Sequence, residues 1–260
     1  MKHRLILTTI TILTILDLLA HFAFAQAPIP SKGLAAIEEA ENAKKYLFVF
    51  FWKADDPATR AARAVFDQAL AGQKQRAVTV AISVADPAEK DIVEFFGISR
   101  APMPLVLAVA PNGAVTKALH TKLDSQELLD AFVSEGTAHC LRVIQENKLL
   151  LLCVQNSSSS QAKEALQGVQ AFQADPRFAK AAEIVVINPA DPKESKLLHD
   201  FHVDPKSAAA VTVFMAPNGV IIGKFEGAVT KDQLEAKLKA AQSGQCPCGD
   251  PNCPGCNKGK

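Results

Sequence analysis

The apolar residues of this chain come in short continuous runs set between polar stretches. Tyr46–Trp52 and Leu149–Gln155 carry apolar side chains on both faces, the pattern of a central strand covered on each side. A polar helix candidate precedes each run (33–45 and 138–148), and a second helix candidate follows (57–71 and 161–172). Next come a second apolar strand (78–82 and 183–187), a short helix after an Ala-Asp-Pro turn, and two strands around a Pro-Asn-Gly turn. Proline, asparagine and glycine supply the dihedrals of a tight hairpin. A closing helix ends each half. Asp124 with Glu127, and Thr230 with Gln233, have the spacing in which side chains and backbone amides cap a helix start reciprocally.

The two halves are a repeat. Ala85-Asp86-Pro87 recurs as Ala190-Asp191-Pro192, and Ala110-Pro111-Asn112-Gly113 as Ala216-Pro217-Asn218-Gly219. Glu89 matches Glu194, and Phe96 matches Phe201. The apolar Ile92, Val93 and Ile98 match Leu197, Leu198 and Val203. The order strand–helix–strand–helix–strand–strand–helix predicts an α/β fold, a central mixed sheet flanked by helices, made twice. Glu135-Gly136-Thr137 is the expected joint, short enough for the halves to pack together.

That order resembles the thioredoxin fold. The segment Phe50-Phe51-Trp52-Lys53-Ala54-Asp55-Asp56-Pro57-Ala58-Thr59-Arg60 resembles the family's strand end and active-site loop, and Met103-Pro104-Leu105-Val106-Leu107 resembles the segment holding its cis-proline. The resemblance covers residues 34–135 and, more faintly, 136–241. It implies two tandem thioredoxin-like domains, but the family's oxidoreductases use Cys-x-x-Cys at the helix start, where the helix N-terminus lowers a thiol pKa. Asp56 and Thr59 fall on those two positions, and a carboxylate and a hydroxyl cannot exchange disulfides. The second loop reads Asn156-Ser157-Ser158-Ser159-Ser160, again without cysteine, and Ala210 replaces Pro104.

The site equivalents each have a structural reading beside the functional one. Asp56 before Pro57 is what a helix start asks for, an N-cap carboxylate followed by proline. Trp52 either packs at the core's rim or contributes to a peptide-binding surface. Pro104 either shapes its loop or, if Met103–Pro104 is cis, keeps open a backbone edge of the kind thioredoxin-like proteins pair with extended peptides. The serine run reads as a polar loop and helix cap; Asn156-Ser157-Ser158 is also a glycosylation sequon, relevant only in a eukaryotic host.

The ends and the charge balance change the picture further. Lys2 and Arg4 precede an apolar run from Leu5 to about Ala25, and Ala23-Phe24-Ala25 offers a cleavage site. Asp17 and His21 lie inside that run, and a charge at mid-bilayer costs roughly 2.5–3.5 kcal/mol, so residues 1–25 read as a signal peptide rather than an anchor. The expected layout is signal peptide 1–25, first domain 26–135, second domain 136–243 and tail 244–260. Without Lys2, Arg4 and Asp17 the chain carries 26 basic and 26 acidic side chains. That balance offers no long-range attraction for nucleic acid or an anionic membrane, and no second run is long enough to span. The expectation is an exported protein, periplasmic or extracellular.

Four of the six cysteines crowd into the tail: Cys246, Cys248, Cys253 and Cys256. Their spacers are glycine, proline and short polar residues, which cannot build a core, so order there must come from sulfur chemistry. Four thiolates can converge on one soft ion, zinc or copper(I). One or two disulfides are the competing reading, with Cys253 and Cys256 spaced like a redox pair. Cys153 reads as a buried, inert thiol; His139 beside Cys140 is a pair by sequence only, and His199 with His202 could share a helix face. Three functions remain open: a non-enzymatic module binding extracytoplasmic proteins or peptides with a metal-holding tail, a thiol-redox protein working through the tail, and a metal-delivery protein docking through its repeats.

Overall fold

The computed structural model describes residues 31–120 and 122–243. The expected signal peptide 1–25, its expected cleavage near Gln26 and the four tail cysteines lie outside the described residues.

The first unit runs α1 (Lys32–Ala43), β1 (Tyr46–Trp52), α2 (Pro57–Leu70), β2 (Ala77–Ser83), α3 (Lys90–Phe95), β3 (Leu105–Val109), β4 (Val115–His120) and α4 (Ser125–Leu129). The second repeats the order: α5 (Glu135–Gln145), β5 (Leu149–Val154), α6 (Ala162–Gln173), β6 (Ala182–Ile187), α7 (Ser195–Asp200), β7 (Val211–Met215), β8 (Ile221–Glu226) and α8 (Lys231–Gln242). There are two four-stranded sheets among the described residues, ordered β2-β1-β3-β4 and β6-β5-β7-β8. In each, the first two strands pair in parallel and the last two join antiparallel. The fold class is therefore the one the repeat predicted, an α/β unit with a central mixed sheet flanked by helices, made twice.

The continuous apolar runs become the central strands for the expected reason. Phe48 and Phe50 on one face of β1 pack against Phe66, Leu70 and Leu128. Val49 and Phe51 on the other pack against Ala36, Ala40 and Ile92. Each fully buried phenylalanine contributes about 1.5–3 kcal/mol of burial. In β5 the same two faces fall to Leu151 and Cys153 on one side and Leu150 and Leu152 on the other. Thr230 and Gln233 form the full reciprocal cap at α8, whereas at α4 Asp124 accepts from the Gln126 and Glu127 amides with no return bond shown from Glu127.

A polar device at the start of each unit accompanies the duplication. The Ser31 hydroxyl donates to buried Glu89, and the Ser134 hydroxyl to buried Glu194, both at 2.6 Å. These carboxylates also accept the Gly33 and Gly136 amides at 3.0 Å. A Cβ on Gly33 would come within 2.5 Å of the Ile92 side chain and one on Gly136 within 2.7 Å of the Ile187 side chain, so glycine lets each helix start approach without moving its neighbours.

This corrects the joint. Glu135-Gly136-Thr137 is the first turn of α5, not a linker: Ser134 accepts from the Thr137 amide at 3.0 Å and Glu194 holds Gly136 in place. The units pack directly. Ala110 and Ala114 are buried against Ala138, with Tyr46, Val133 and Leu141 around them. Gln145 accepts from the Val115 amide at 2.9 Å and donates to the Val115 carbonyl at 2.7 Å, acting as one extra rung on edge strand β4. Among the described residues no helix is long and apolar enough to cross a membrane.

Candidate functional site

The antiparallel register of β1 and β3 pairs Phe51 with Leu105, so one further step sets Trp52 opposite Pro104. The Met103–Pro104 bond is cis. Directly after β1, Asp56 caps α2: its carboxylate accepts the Thr59 amide at 2.7 Å, and Pro57 takes the first helical position. That amide, then the Thr59 hydroxyl, holds the Asp56 carboxyl below the usual carboxylate range. Asp56 and Thr59, on the two dithiol positions, are thus bonded to each other as a helix cap.

Trp52 is half-buried, on the same face as Phe48 and Phe50. With Phe50, Asp55, Thr59, Arg60 and Arg63 it lines an open groove of about 400 Å³. The groove's cations are already engaged. Arg60 pairs with Asp55 at 3.2 Å, and Arg63 reaches both Asp67 oxygens at 2.8 Å while lying over the Phe50 ring. What the groove offers an incoming chain is chiefly the aromatic surface of Trp52, since Phe50 is buried beneath Arg63.

The backbone beside it is open. Ala101 donates to Ile98, but among the described residues no hydrogen bond reaches the Met103 amide or carbonyl. Pro102 and Pro104 have no amide hydrogen to offer. In the second unit the matching residue is Ala209, and both of its sides are occupied. The Ser207 hydroxyl accepts from the Ala209 amide at 3.3 Å and donates to its carbonyl at 3.0 Å. On the other side Ser160 forms a parallel bridge, donating to Ala208 at 2.7 Å and accepting from Ala210 at 3.1 Å. The Ala210 bond exists because Ala210, unlike Pro104, has an amide hydrogen. Alanine at 101, where the second unit has Ser207, leaves the first unit's edge uncapped.

The serine loop is therefore a plug more than a helix cap. Gln161 takes the N-cap position of α6 in a left-handed conformation without a side-chain bond. Asn156 Oδ1 instead gathers the Ser158 amide at 2.9 Å and the Ser158 and Ser159 hydroxyls at 2.7 and 3.3 Å. Sequence reasoning missed Ser207, whose signal was a lone serine opposite Ala101 in the repeat alignment.

The remaining candidates are dispersed. His199 lies on the exposed face of α7, while His202 sits beyond its end with φ 51°, so the two do not share a helix face. His139 turns to Glu183 at 2.9 Å and Cys140 turns inward, as successive helical residues must. Burial, helped by the Glu194 charge, pushes the Cys140 thiol up to about 12, and burial pushes Cys153 up to about 11. Among the described residues no group of three or more His, Cys, Asp or Glu side chains is placed to hold a metal. A cavity of about 610 Å³ lies at the joint, beside Tyr46, Val133, His139, Lys148 and Glu183. Several of its charges pair with one another, Lys148 lying within 2.9 Å of both Glu146 and Glu183.

No family model matches the chain, and no curated protein matches it by sequence. Among solved structures, oxidised thioredoxin O2 from Arabidopsis thaliana is 12% identical over 40% of this chain and 86% of its own, with a TM-score of 0.33. The germline-specific thioredoxin Deadhead from Drosophila melanogaster is 14% identical over 39% of this chain and 91% of its own, with a TM-score of 0.32. The MTB protein dsbF is 19% identical over 34% of this chain and 78% of its own, with a TM-score of 0.27.

Proposed function

We propose that the chain is an exported, non-enzymatic binding protein that pairs an extended segment of an extracytoplasmic protein with the first unit's Met103 edge. The tail cysteines Cys246, Cys248, Cys253 and Cys256 form a separate thiolate site for zinc or copper(I). The observation that carries the reading is the contrast between Met103, which keeps its amide and carbonyl free, and Ala209, which spends both on Ser207. An added strand gains main-chain hydrogen bonds at such an edge, and side-chain pockets beside it give selectivity; the Trp52 groove is the neighbouring pocket. The cap formed by Asp56 and Thr59 has no thiol to exchange.

The test is a set of extended ten-residue peptides, apolar and aromatic at alternate positions, titrated into isotopically labelled protein. Binding should perturb Met103, Leu105 and Trp52 and leave Ala209 unmoved. Perturbation of both units alike, or of neither, removes the proposal. The tail is tested apart, by metal content after anaerobic reduction in wild type, Cys246→Ser and Cys256→Ser. Thiolates bind metal by losing protons, so the metal should be released as pH falls. If wild type takes up no metal and instead shows a reversible two-electron couple, the redox reading replaces the metal site.

A further inference from the structure

The repeat leaves one surface covered in the first unit and bare in the second. In the first, Ala114 is 0% exposed, buried with Ala110 beneath Ala138, and the Val115 backbone is held by Gln145. Their counterparts are Val220, 53% exposed, and Ile221, 43% exposed. The second unit thus has an exposed valine where the first has a fully buried alanine, and an exposed isoleucine where the first has a half-buried valine. Beside them runs a groove of about 430 Å³ floored by Leu149, Phe178, Pro217, Ile222, Leu238 and Ala241.

Two occupants could match what covers the first unit. A second copy would bring α1, the counterpart of α5, onto this face. Glu38 and Glu39 of α1 then stand where Leu141 and Arg142 of α5 stand, and a glutamate in the half-buried place of Leu141 would trade an apolar contact with Ala110 and Ala114 for a partly desolvated charge. The other occupant is the chain itself. Gln242, the last residue of α8, lines the groove, and seventeen residues follow Ser243. Pro247, Pro251 and Pro254 in that stretch present apolar rings and no amide hydrogens, so they can lie on an apolar surface without stranding a donor. Gly244–Cys256 spans roughly 40 Å when extended, ample for a groove that starts at its own root.

We propose that Gly244–Cys256 folds back over Val220, Ile221 and this groove, covering in the second unit the face that α5 covers in the first. The groove lies at the Leu149 end of β5, opposite the serine loop that follows Val154. Docking there carries the four cysteines away from the second unit's own dithiol-equivalent positions.

Hydrogen exchange on the full chain tests this. In reduced, chelator-treated protein, the amides of 219–222 should exchange at least threefold more slowly in wild type than in Pro247→Asp/Pro254→Asp. Conversely, Val220→Asp, a change at an exposed position, should make the tail cysteines at least threefold faster to alkylate. Equal exchange and equal alkylation overturn the proposal. Protection that rises with protein concentration overturns it in favour of a second copy.

Discussion

Ser31 and Glu89, far apart in sequence, meet at 2.6 Å through the serine hydroxyl and Glu89 Oε2. The same carboxylate takes the Lys32 amide at 2.7 Å and the Gly33 amide at 3.0 Å. A helix start has amides with no partner inside the helix; here a buried side chain from the next α/β crossover supplies one. The bond fastens α1 to the edge of α3, and Ser134 with Glu194 does the same for α5 and α7.

Removing the carboxylate should therefore cost more than removing the cap. Glu89→Ala strands buried donors and should lower stability by about 3 kcal/mol, against about 1 kcal/mol for Ser31→Ala. Urea unfolding of both variants measures the difference. Equal small losses would show that water replaces Glu89 at no cost.

Gln145→Ala should detach the second unit from the first unit's edge strand. The Val115 amide and carbonyl lose their partners, and stability should fall by about 1–2 kcal/mol. Exchange of the Val115 amide should accelerate at least tenfold, while amides in the β1–β2 ladder keep their rates.

Ser207 and Ala101 should be interchangeable in effect. Ala101→Ser places a hydroxyl where it can bridge the Met103 amide and carbonyl, and should weaken peptide binding about tenfold, or about 1.4 kcal/mol. Ser207→Ala frees Ala209 and should raise the peptide stoichiometry from one toward two. Calorimetric titration of the two variants reads both effects.

The body thiols should be silent until the chain unfolds. Burial raises Cys140 to about 12 and Cys153 to about 11, so iodoacetamide at pH 8 should leave both unmodified in native protein and modify both in denaturant. The linkage has a definite sign. The unfolded thiols lose protons near pH 8.5 while the folded ones retain them, so this contribution is complete below that pH and is lost as pH rises toward 11–12. Cys140→Ala should flatten the alkaline decline in stability, whatever it costs at neutral pH.

The duplication, the central strands and the helix order were all legible in the sequence, because each rests on local signals: continuous apolar runs, Ala-Asp-Pro and Pro-Asn-Gly turns, and capping residues. Asp56 was legible as a cap for the same reason. Glu89 and Glu194 were visible as a matched pair, but their role needed the crossover that brings them to Gly33 and Gly136. The recurring Ser-x-Gly at 31–33 and 134–136 was the available clue. Gln145 left no pattern, and the roles of Ser160 and Ser207 were faint, since each acts on backbone from a distant or irregular segment, and a polar surface residue looks the same whether or not it does so.

The closure of Ala209 by Ser207 has a consequence for valency. A tandem binder gains avidity when its second module meets the same ligand at high local concentration. Of the two matching loop positions only Met103 keeps its backbone groups open, so on the proposed reading these loops cannot crosslink two extended clients or hold one at two points. Occupancy by such a client should follow a simple hyperbola, with residence time set by the Met103 edge and the Trp52 groove alone.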